Sequence, residues 1–142
     1  MSIPWTEFLK DLQNREPSLL AFALNWWSYN MPLLRVIRQT VPPPARVLEV
    51  GTGTGALAIM LAAYGYEVLG IDLDPRVIEG ARAFAEPFRL PCRFEVGDGF
   101  DLGAHHGGFD LAFSAGVIEH FHPENGVQML REQGRAGRRG PG

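Results

Sequence analysis

The sequence predicts an α/β domain built on an open parallel sheet, and three observations support this. Short apolar segments alternate with segments of helical character between residues 46 and 131. Gly, Pro or Asp marks most of their boundaries, and the loops between them are short. Parallel strands joined by helices need right-handed crossovers, so alternating segments of this kind favour an open sheet covered by helices.

The first 44 residues are expected to form a helical cap followed by a proline linker. Pro4 suits the first turn of a helix, and apolar side chains recur at helical spacing over residues 19–27. Pro32 is expected to interrupt this helix, because proline removes a backbone donor in a helix interior. The run Pro42–Pro44 then provides a stiff connector to the sheet.

Residues 45–133 supply the predicted strands and helices of the sheet domain. The predicted strands are 46–50, 66–72, 92–96 and 109–115, and the predicted helices are 56–64, 75–85 and one from Pro123 toward Arg131. Asp74 followed by Pro75 is typical of a helix cap and first helical position. Residues 134–142 contain only Gly, Arg, Ala and Pro, so they offer no apolar face and are expected to form a disordered tail.

Composition argues against several classes of protein. The apolar content of 46% and charged content of 20% are ordinary for a globular domain. A net charge of −3 does not indicate a nucleic-acid or anionic-membrane partner. The most apolar window, residues 19–27, is much shorter than the roughly 20 residues that span a bilayer. Cys92 is the single cysteine, which fits a reducing compartment. We therefore expect a cytoplasmic protein without a nucleic-acid or membrane partner.

The segment 51–56, GTGTGA, lies between a predicted strand and a predicted helix. Glycines let a ligand approach the backbone, and the helix that follows offers unpaired N–H donors. Gly51, Gly53 and Ala56 satisfy the dinucleotide-binding pattern, and Asp72 lies at a suitable distance to bind a ribose. Taken alone, the loop leaves an NAD-binding oxidoreductase open as an alternative.

Glu49 indicates which kind of cofactor the loop binds, because it lies two residues before the first glycine. A carboxylate facing the loop would repel a pyrophosphate, since like charges about 4 Å apart interact by roughly 4 kcal/mol at an effective dielectric near 20. A ligand with an ammonium or a sulfonium group would be favoured instead. S-adenosylmethionine carries both groups, together with a ribose and an adenine.

The sequence resembles the class I S-adenosylmethionine-dependent methyltransferases, most closely the ubiquinone/menaquinone-type and other small-molecule enzymes. Four segments in order carry the resemblance: VLEVGTGTG (47–55), VLGIDLDPRVIEGAR (68–82), GDGF (97–100) and FDLAFSAGVIEHF (109–121). The resemblance implies a Rossmann-like sheet with strand order 3-2-1-4. It also implies S-adenosylmethionine as cofactor and methyl transfer to a small-molecule acceptor.

The resemblance implies cofactor contacts for residues at or just after the ends of the predicted strands: Glu49, Gly51, Thr52, Gly53, Gly55, Asp72, Leu73, Asp98, Gly99, Phe100 and Ser114. The residues up to Gly55 would form the floor under the methionine part of the cofactor. Asp72 would accept both ribose hydroxyls, and Leu73 would lie against the adenine. Asp98 would accept the adenine amino group, and the backbone of Gly99 or Phe100 would recognise a ring nitrogen. Ser114 would pass close to the methionine part.

Glu119 and His120 are the candidates for chemistry. Methyl transfer mainly needs an aligned nucleophile and, for some acceptors, removal of a proton. His120 has a suitable pKa for that base, with Glu119 as its carboxylate neighbour. A structural role that closes the loop stays open for both residues. No metal site is expected, because the adjacent His105 and His106 rarely point at one ion.

The tryptophan-rich segment of the cap has two interpretations. In this family an N-terminal helical extension commonly covers the cofactor. Trp26, Trp27 and Tyr29 would then provide aromatic walls for the site, with cation–π contact to the sulfonium. The alternative is that they pack the helix onto the sheet.

The family's sheet has further strands that this sequence does not supply after the last predicted helix. We therefore expect a C-terminally truncated product in which the fourth strand is an exposed apolar edge. Such an edge favours pairing with a second copy, as a homodimer. The alternative function is a non-catalytic fragment that binds the cofactor or a partner protein.

Overall fold

The computed structural model describes residues 4–15, 17–115 and 122–137. It confirms the predicted α/β class: four parallel strands form one sheet in the order β3-β2-β1-β4. The strands are β1 (Arg46–Val50), β2 (Glu67–Asp72), β3 (Cys92–Val96) and β4 (Leu111–Ser114). The helices are α1 (Pro4–Arg15), α2 (Pro17–Thr40), α3 (Ala56–Ala63), α4 (Pro75–Ala85) and α5 (Pro123–Ala136), with short 3₁₀ helices at Glu86–Phe88 and Gly103–His105.

The strand register brings all four carboxyl ends to one edge of the sheet. Val50 at the end of β1 lies between Ile71 of β2 and Ser114 of β4. Asp72, the last residue of β2, pairs with Val96, the last residue of β3. Loops that follow parallel strands therefore meet at this edge, which is where α/β sheets bind ligands.

Side chains alternate between two apolar layers, as the period of a strand requires. Val47 and Val68 face the layer that contains α2, α3 and α4, while Leu48 and Leu69 face the layer that contains α5. Helix α3 is buried over residues 57–63, which explains its continuous apolar sequence. The sheet is thus covered on both faces, as expected for parallel strands.

The cap differs from the prediction at one point. Helix α2 runs without a break from Pro17 to Thr40, so the expected interruption at Pro32 is wrong. Pro32 lies on an exposed position, where its ring points away from the core and only local backbone bonding is lost. Leu34 and Ile37 of the same helix are buried against the sheet layer, and this packing holds the helix together across the proline.

Helix α5 is longer than predicted. It continues past Arg131 to Ala136, which is fully buried, and Gly137 then pairs in parallel with Phe109. The predicted tail, which starts at residue 134, therefore begins too early. The Gly/Arg/Ala/Pro composition of this segment did not indicate burial, but the small side chain of Ala136 packs into the apolar layer beside α5. Residues 138–142 of that predicted tail lie outside the described residues.

None of the helices in the described part of the chain combines the length and apolar composition that crossing a bilayer needs.

Candidate functional site

The glycine loop at residues 51–55 folds across the carboxyl end of the sheet. The N–H groups of Gly51 and Thr52 both donate to the carbonyl of Ile71, each at 2.9 Å. Gly51, Gly53 and Gly55 all adopt positive φ, at 75°, 55° and 85°. The loop therefore turns tightly over the end of β2 and leads directly into the N-terminus of α3. A Cβ on Gly53 would meet nothing within 4 Å, so the backbone there leaves room for a ligand at the edge of the sheet.

Asp72 places its carboxylate beside this loop. Its Oδ2 accepts the N–H of Gly53 at 3.3 Å, and its Oδ1 accepts the N–H of Asp74 at 3.4 Å. Both bonds are long, and a carboxylate offers about four lone-pair positions. Asp72 is partly exposed, so acceptor capacity is available for the hydroxyls of a ligand. Asp74, by contrast, caps α4 through the N–H of Arg76, as the sequence predicted.

Glu49 lies beneath the loop and is almost completely buried, with 3% of its surface exposed. The hydroxyl of Thr52 donates to its Oε1 at 2.7 Å. The pKa of Glu49 is raised to about 8: burial is the main cause, the bond from Thr52 opposes it, and the charge of Asp72 adds to it. The side chain is therefore mainly neutral near pH 7 in the unliganded chain. The predicted repulsion of a pyrophosphate by an ionised Glu49 is therefore wrong for the unliganded chain, because burial keeps the carboxyl group protonated.

Gly70 on β2 makes room for the Thr52–Glu49 pair. A Cβ placed at Gly70 would lie 2.4 Å from Oγ1 of Thr52. Gly70 was not predicted as a site residue, although a glycine inside a strand indicates close approach by another group. Glu49, Thr52 and Gly70 together support the loop from below.

Gly55 gives a testable prediction about the loop. At φ 85°, a Cβ on Gly55 would lie 2.8 Å from the ring of Phe94 and 3.3 Å from Cβ of Ala81. We expect Gly55→Ala to lower the free energy of unfolding by about 1–3 kcal/mol, because strain and crowding add. Urea denaturation measures this.

The matched control is Gly80→Ala on the exposed face of α4, where a Cβ meets nothing within 4 Å. This substitution should stabilise the chain by roughly 0.5–1 kcal/mol through helix propensity. Equal effects of the two substitutions would contradict the packing of the loop described above.

The segment that follows β3 lies next to Asp72, because the N–H of Gly97 donates to the carbonyl of Asp72 at 2.9 Å. We call residues 98–102 the adenine loop, after their predicted partner. Asp98 is exposed and accepts the N–H of Phe100 at 2.9 Å through Oδ1. Gly99 is buried, and a Cβ there would lie 2.6 Å from Val50. The loop therefore packs onto the end of β1 while the Asp98 side chain remains accessible.

Two further predicted residues lie at the same edge. Leu73 directly follows Asp72 and is 60% exposed, so its side chain offers an apolar surface against which a flat ligand can pack. Ser114 ends β4, and its hydroxyl accepts a bond at 3.1 Å from the side-chain amide of Gln133 on α5. Gln133 was missed, because the predicted helix ended near Arg131. A longer helix would have placed it on the buried face with Met129 and Ala136.

The predicted catalytic residues Glu119 and His120 lie outside the described residues.

In the described part of the chain, no group of three His, Cys, Asp or Glu side chains has an arrangement that could hold a metal ion. His106 is bonded to Glu132 at 3.1 Å. Burial raises the pKa of the Cys92 thiol to about 11, which keeps it protonated and unreactive.

Trp27 lies away from the site. Its indole N–H donates to the hydroxyl of Tyr64, at the C-terminal end of α3. The glycine loop is at the other end of this eight-residue helix, which spans about 12 Å. Trp27 therefore packs the cap onto the domain and forms no wall of the cofactor site. Tyr29 is 85% exposed, and the side chain of Trp26 lies outside the described part of the structure.

A glycine loop and an acidic residue at the carboxyl edge of a 3-2-1-4 parallel sheet define a domain that binds a nucleotide-like cofactor. Residues 47–140 match the family described as "Methyltransferase domain". Because this match covers more than half of the sequence, the chain belongs to the methyltransferase domain family. S-adenosylmethionine is the cofactor of this family.

Similar proteins agree with this assignment. The chain is 31% identical over 112 residues to a ubiquinone biosynthesis O-methyltransferase from Xanthomonas campestris, covering 70% of the chain and 47% of that protein. It is 44% identical over 80 residues to a demethylmenaquinone methyltransferase from Thermus thermophilus, covering 55% and 36%. The chain thus spans about half, or less, of the length of these curated relatives.

Solved structures show the same fold. The PH0226 protein from Pyrococcus horikoshii superimposes with a TM-score of 0.71 at 28% identity, covering 78% of this chain and 52% of that one. An S-adenosylmethionine-dependent methyltransferase from Methanosarcina mazei gives 0.66 at 26% identity, covering 74% and 53%.

Proposed function

We propose that this chain binds S-adenosylmethionine at the carboxyl edge of the sheet and transfers its methyl group to a small-molecule acceptor. The observation that carries the proposal is the placement of Asp72. Its carboxylate accepts the N–H of Gly53 in the glycine loop, and its backbone carbonyl accepts the N–H of Gly97, directly before the adenine loop. A ribose between these two loops would meet an acceptor at its hydroxyls and open backbone on both sides.

The proposed contacts fall into three groups, one for each part of the cofactor. Glu49, Gly51, Thr52, Gly53 and Gly55 lie under the position proposed for the methionine part, with Ser114 on the neighbouring strand. Asp72 accepts the ribose hydroxyls. Leu73, Asp98, Gly99 and Phe100 surround the adenine, with Asp98 as acceptor for the amino group. All of these residues lie at one edge of the sheet, which supports the proposal.

The chain itself needs to do two things: position the methyl group and, for some acceptors, remove a proton. S-adenosylmethionine, when bound, supplies an activated methyl group on a sulfonium. The chain fixes the position of that group and excludes other orientations, so that an acceptor atom can approach in line. We propose His120, supported by Glu119, as the base that removes a proton from an acceptor with a hydroxyl group. Both residues follow β4 in the sequence.

A small-molecule acceptor is supported by the relatives, which include enzymes named for ubiquinone, menaquinone and 2-methyl-6-phytyl-1,4-hydroquinone methylation. The hydroquinone in the last of these names is an aromatic ring with two hydroxyl groups. Hydroquinones and catechols are therefore the first compounds to test with this chain.

The test is transfer of label from methyl-labelled S-adenosylmethionine to a panel of hydroquinones and catechols. We expect label in an organic-soluble product with the unsubstituted chain and at least tenfold less with His120→Ala. Cofactor binding without transfer to any acceptor would favour the alternative function, a non-catalytic chain that binds cofactor or a partner protein. Transfer unaffected by His120→Ala would remove the proposed base but keep the activity.

A homodimer through β4 is a further proposal. Among the described residues, no strand pairs with the open side of Leu111–Ser114, and the isolated bridge of Phe109 with Gly137 lies before this strand. Edge strands of this kind can pair with a second copy. Sedimentation over a range of concentrations tests this proposal, and a monomer at all concentrations contradicts it. A cytoplasmic location and the absence of a nucleic-acid partner remain predictions from composition.

A further inference from the structure

A buried polar cluster on α5 has no part in the function proposed above. Glu132 is only 7% exposed, although its neighbours on the same helix face are Met129 and Ala136. Its Oε2 accepts the N–H of Leu102 at 2.8 Å and contacts Nε2 of His106 at 3.1 Å. Its Oε1 accepts a bond from Arg135 at 2.8 Å. Such a cluster fixes geometry well, because a buried carboxylate strongly favours the arrangement that satisfies it.

These bonds hold one end of the adenine loop. The other end is held by the bond from Gly97 to the carbonyl of Asp72. Between the two ends, the N–H of Asp101 donates to the carbonyl of Asp98 at 3.0 Å and closes a turn. The position of the Asp98 carboxylate therefore depends on where Leu102 is held, and Leu102 is held by Glu132.

Met129 reinforces this connection one turn earlier in α5. A Cβ on Gly99 would lie 3.1 Å from Cε of Met129, so the helix also packs against the middle of the adenine loop. The backbone of Gly99 is thus confined between β1 and α5. Substitutions in α5 are therefore expected to shift the adenine loop even when the sequence of the loop itself is unchanged.

The next residue of α5 acts on a different part of the site. Gln133 is buried, and its amide donates to the hydroxyl of Ser114 at the end of β4. Ser114 lies beside Val50, directly before the glycine loop, on the side proposed for the methionine part of the cofactor. Glu132 and Gln133, which are adjacent in α5, therefore bond to two separate parts of the carboxyl edge of the sheet: the adenine loop and the end of β4.

We propose that Glu132 and Gln133 are positioning residues that set the two halves of the cofactor site independently. Glu132 positions the adenine half through Leu102, and Gln133 positions the methionine half through Ser114. This inference rests on the proposed function, since it assigns each half to a part of S-adenosylmethionine. It extends that function by assigning the positioning of both halves of the site to adjacent residues of α5.

The test compares two ligands, adenosine and S-adenosylhomocysteine, by titration calorimetry. Adenosine fills only the adenine and ribose positions, whereas S-adenosylhomocysteine also fills the methionine position. We expect Glu132→Ala to raise the Kd of both ligands by about tenfold. We expect Gln133→Ala to raise the Kd of S-adenosylhomocysteine by about threefold to tenfold and to leave that of adenosine unchanged. Gln128→Ala, on the exposed face of α5, is the matched control and should change neither Kd.

For Gln133→Ala, the ratio of the two Kd values separates positioning from a general loss of structure, and for Glu132 the pattern of amide hydrogen exchange does so. Equal weakening of both ligands by Gln133→Ala, or of neither by Glu132→Ala, would overturn the inference while leaving the proposed cofactor intact. An unsubstituted chain that binds neither ligand would instead overturn the proposed function, and the positioning roles with it.

Amide hydrogen exchange supplies a second measurement that needs no ligand and no stable alanine variant. Glu132→Gln keeps the side-chain volume, so it should fold even if Glu132→Ala does not, but its single acceptor oxygen cannot serve both Leu102 and Arg135 as the two carboxylate oxygens do. We expect faster exchange at residues 99–102 in this variant and unchanged exchange at residues 51–55. Faster exchange throughout both loops, or in neither loop, would contradict a specific connection between Glu132 and the adenine loop.

Discussion

Glu49→Gln is expected to make the unliganded chain more stable at pH 8 than the unsubstituted protein. Burial raises the pKa of Glu49 to about 8 from 4.5, so the folded chain keeps a proton that the unfolded chain releases above about pH 4.5. The folded state thus binds more protons between these values, and its stability falls as the pH rises from about 4.5 to 8. The loss is on the order of 4 kcal/mol, at about 1.36 kcal/mol per pKa unit.

A glutamine at position 49 cannot ionise, and its amide oxygen can still accept the bond from Thr52. We therefore expect a nearly flat stability between pH 5 and 8 and a gain of about 2–4 kcal/mol at pH 8. Urea unfolding at several pH values measures both quantities. Glu79→Gln, an exposed site on α4, is the control and should keep the pH dependence of the unsubstituted chain. Parallel pH profiles for Glu49→Gln and the unsubstituted chain would show that Glu49 is ionised in the fold.

Asp72→Asn is expected to weaken binding of S-adenosylhomocysteine by about 10- to 150-fold. Hydrogen bonds to a charged group contribute about 1.5–3 kcal/mol, and the substitution removes the charge while keeping the shape of the side chain. The bond from Gly53 can persist through the remaining oxygen, so the glycine loop should keep its position. Titration calorimetry gives the Kd directly.

The control for this prediction is Asp74→Asn, two residues further on. Asp74 caps α4, and asparagine is an equally good cap. This substitution should therefore change neither stability nor affinity appreciably. Similar losses of affinity at positions 72 and 74 would mean that a general negative potential, rather than a specific bond to the ribose, favours the ligand.

The elements predicted well are those encoded by nearby residues. Strands β1 and β3 have the predicted bounds, because each is a short segment bounded by clear turn or breaker residues. The start of α4 was predicted for the same reason, since Asp74 and Pro75 form a local cap. The strand order also follows, because the resemblance to a known family fixes how parallel strands connect.

The features that were missed depend on contacts between distant segments. Pro32 signals a break locally, but burial of Leu34 and Ile37 keeps α2 continuous. The bond from Leu102 to Glu132 joins residues 30 positions apart, and no local pattern indicates it. The ionisation of Glu49 follows from its burial rather than from its position before the glycines. Packing therefore decides both the length of the helices and the charge of the site.

The most direct measurement is thermal unfolding of the chain with and without S-adenosylhomocysteine, with NAD as the comparison ligand. If the loops at the carboxyl edge form the proposed site, a concentration near a hundred times the Kd should add about 2.7 kcal/mol and raise the midpoint visibly. NAD should leave the midpoint unchanged. A midpoint that S-adenosylhomocysteine does not move, or that NAD raises equally, would contradict the assignment of S-adenosylmethionine to this site.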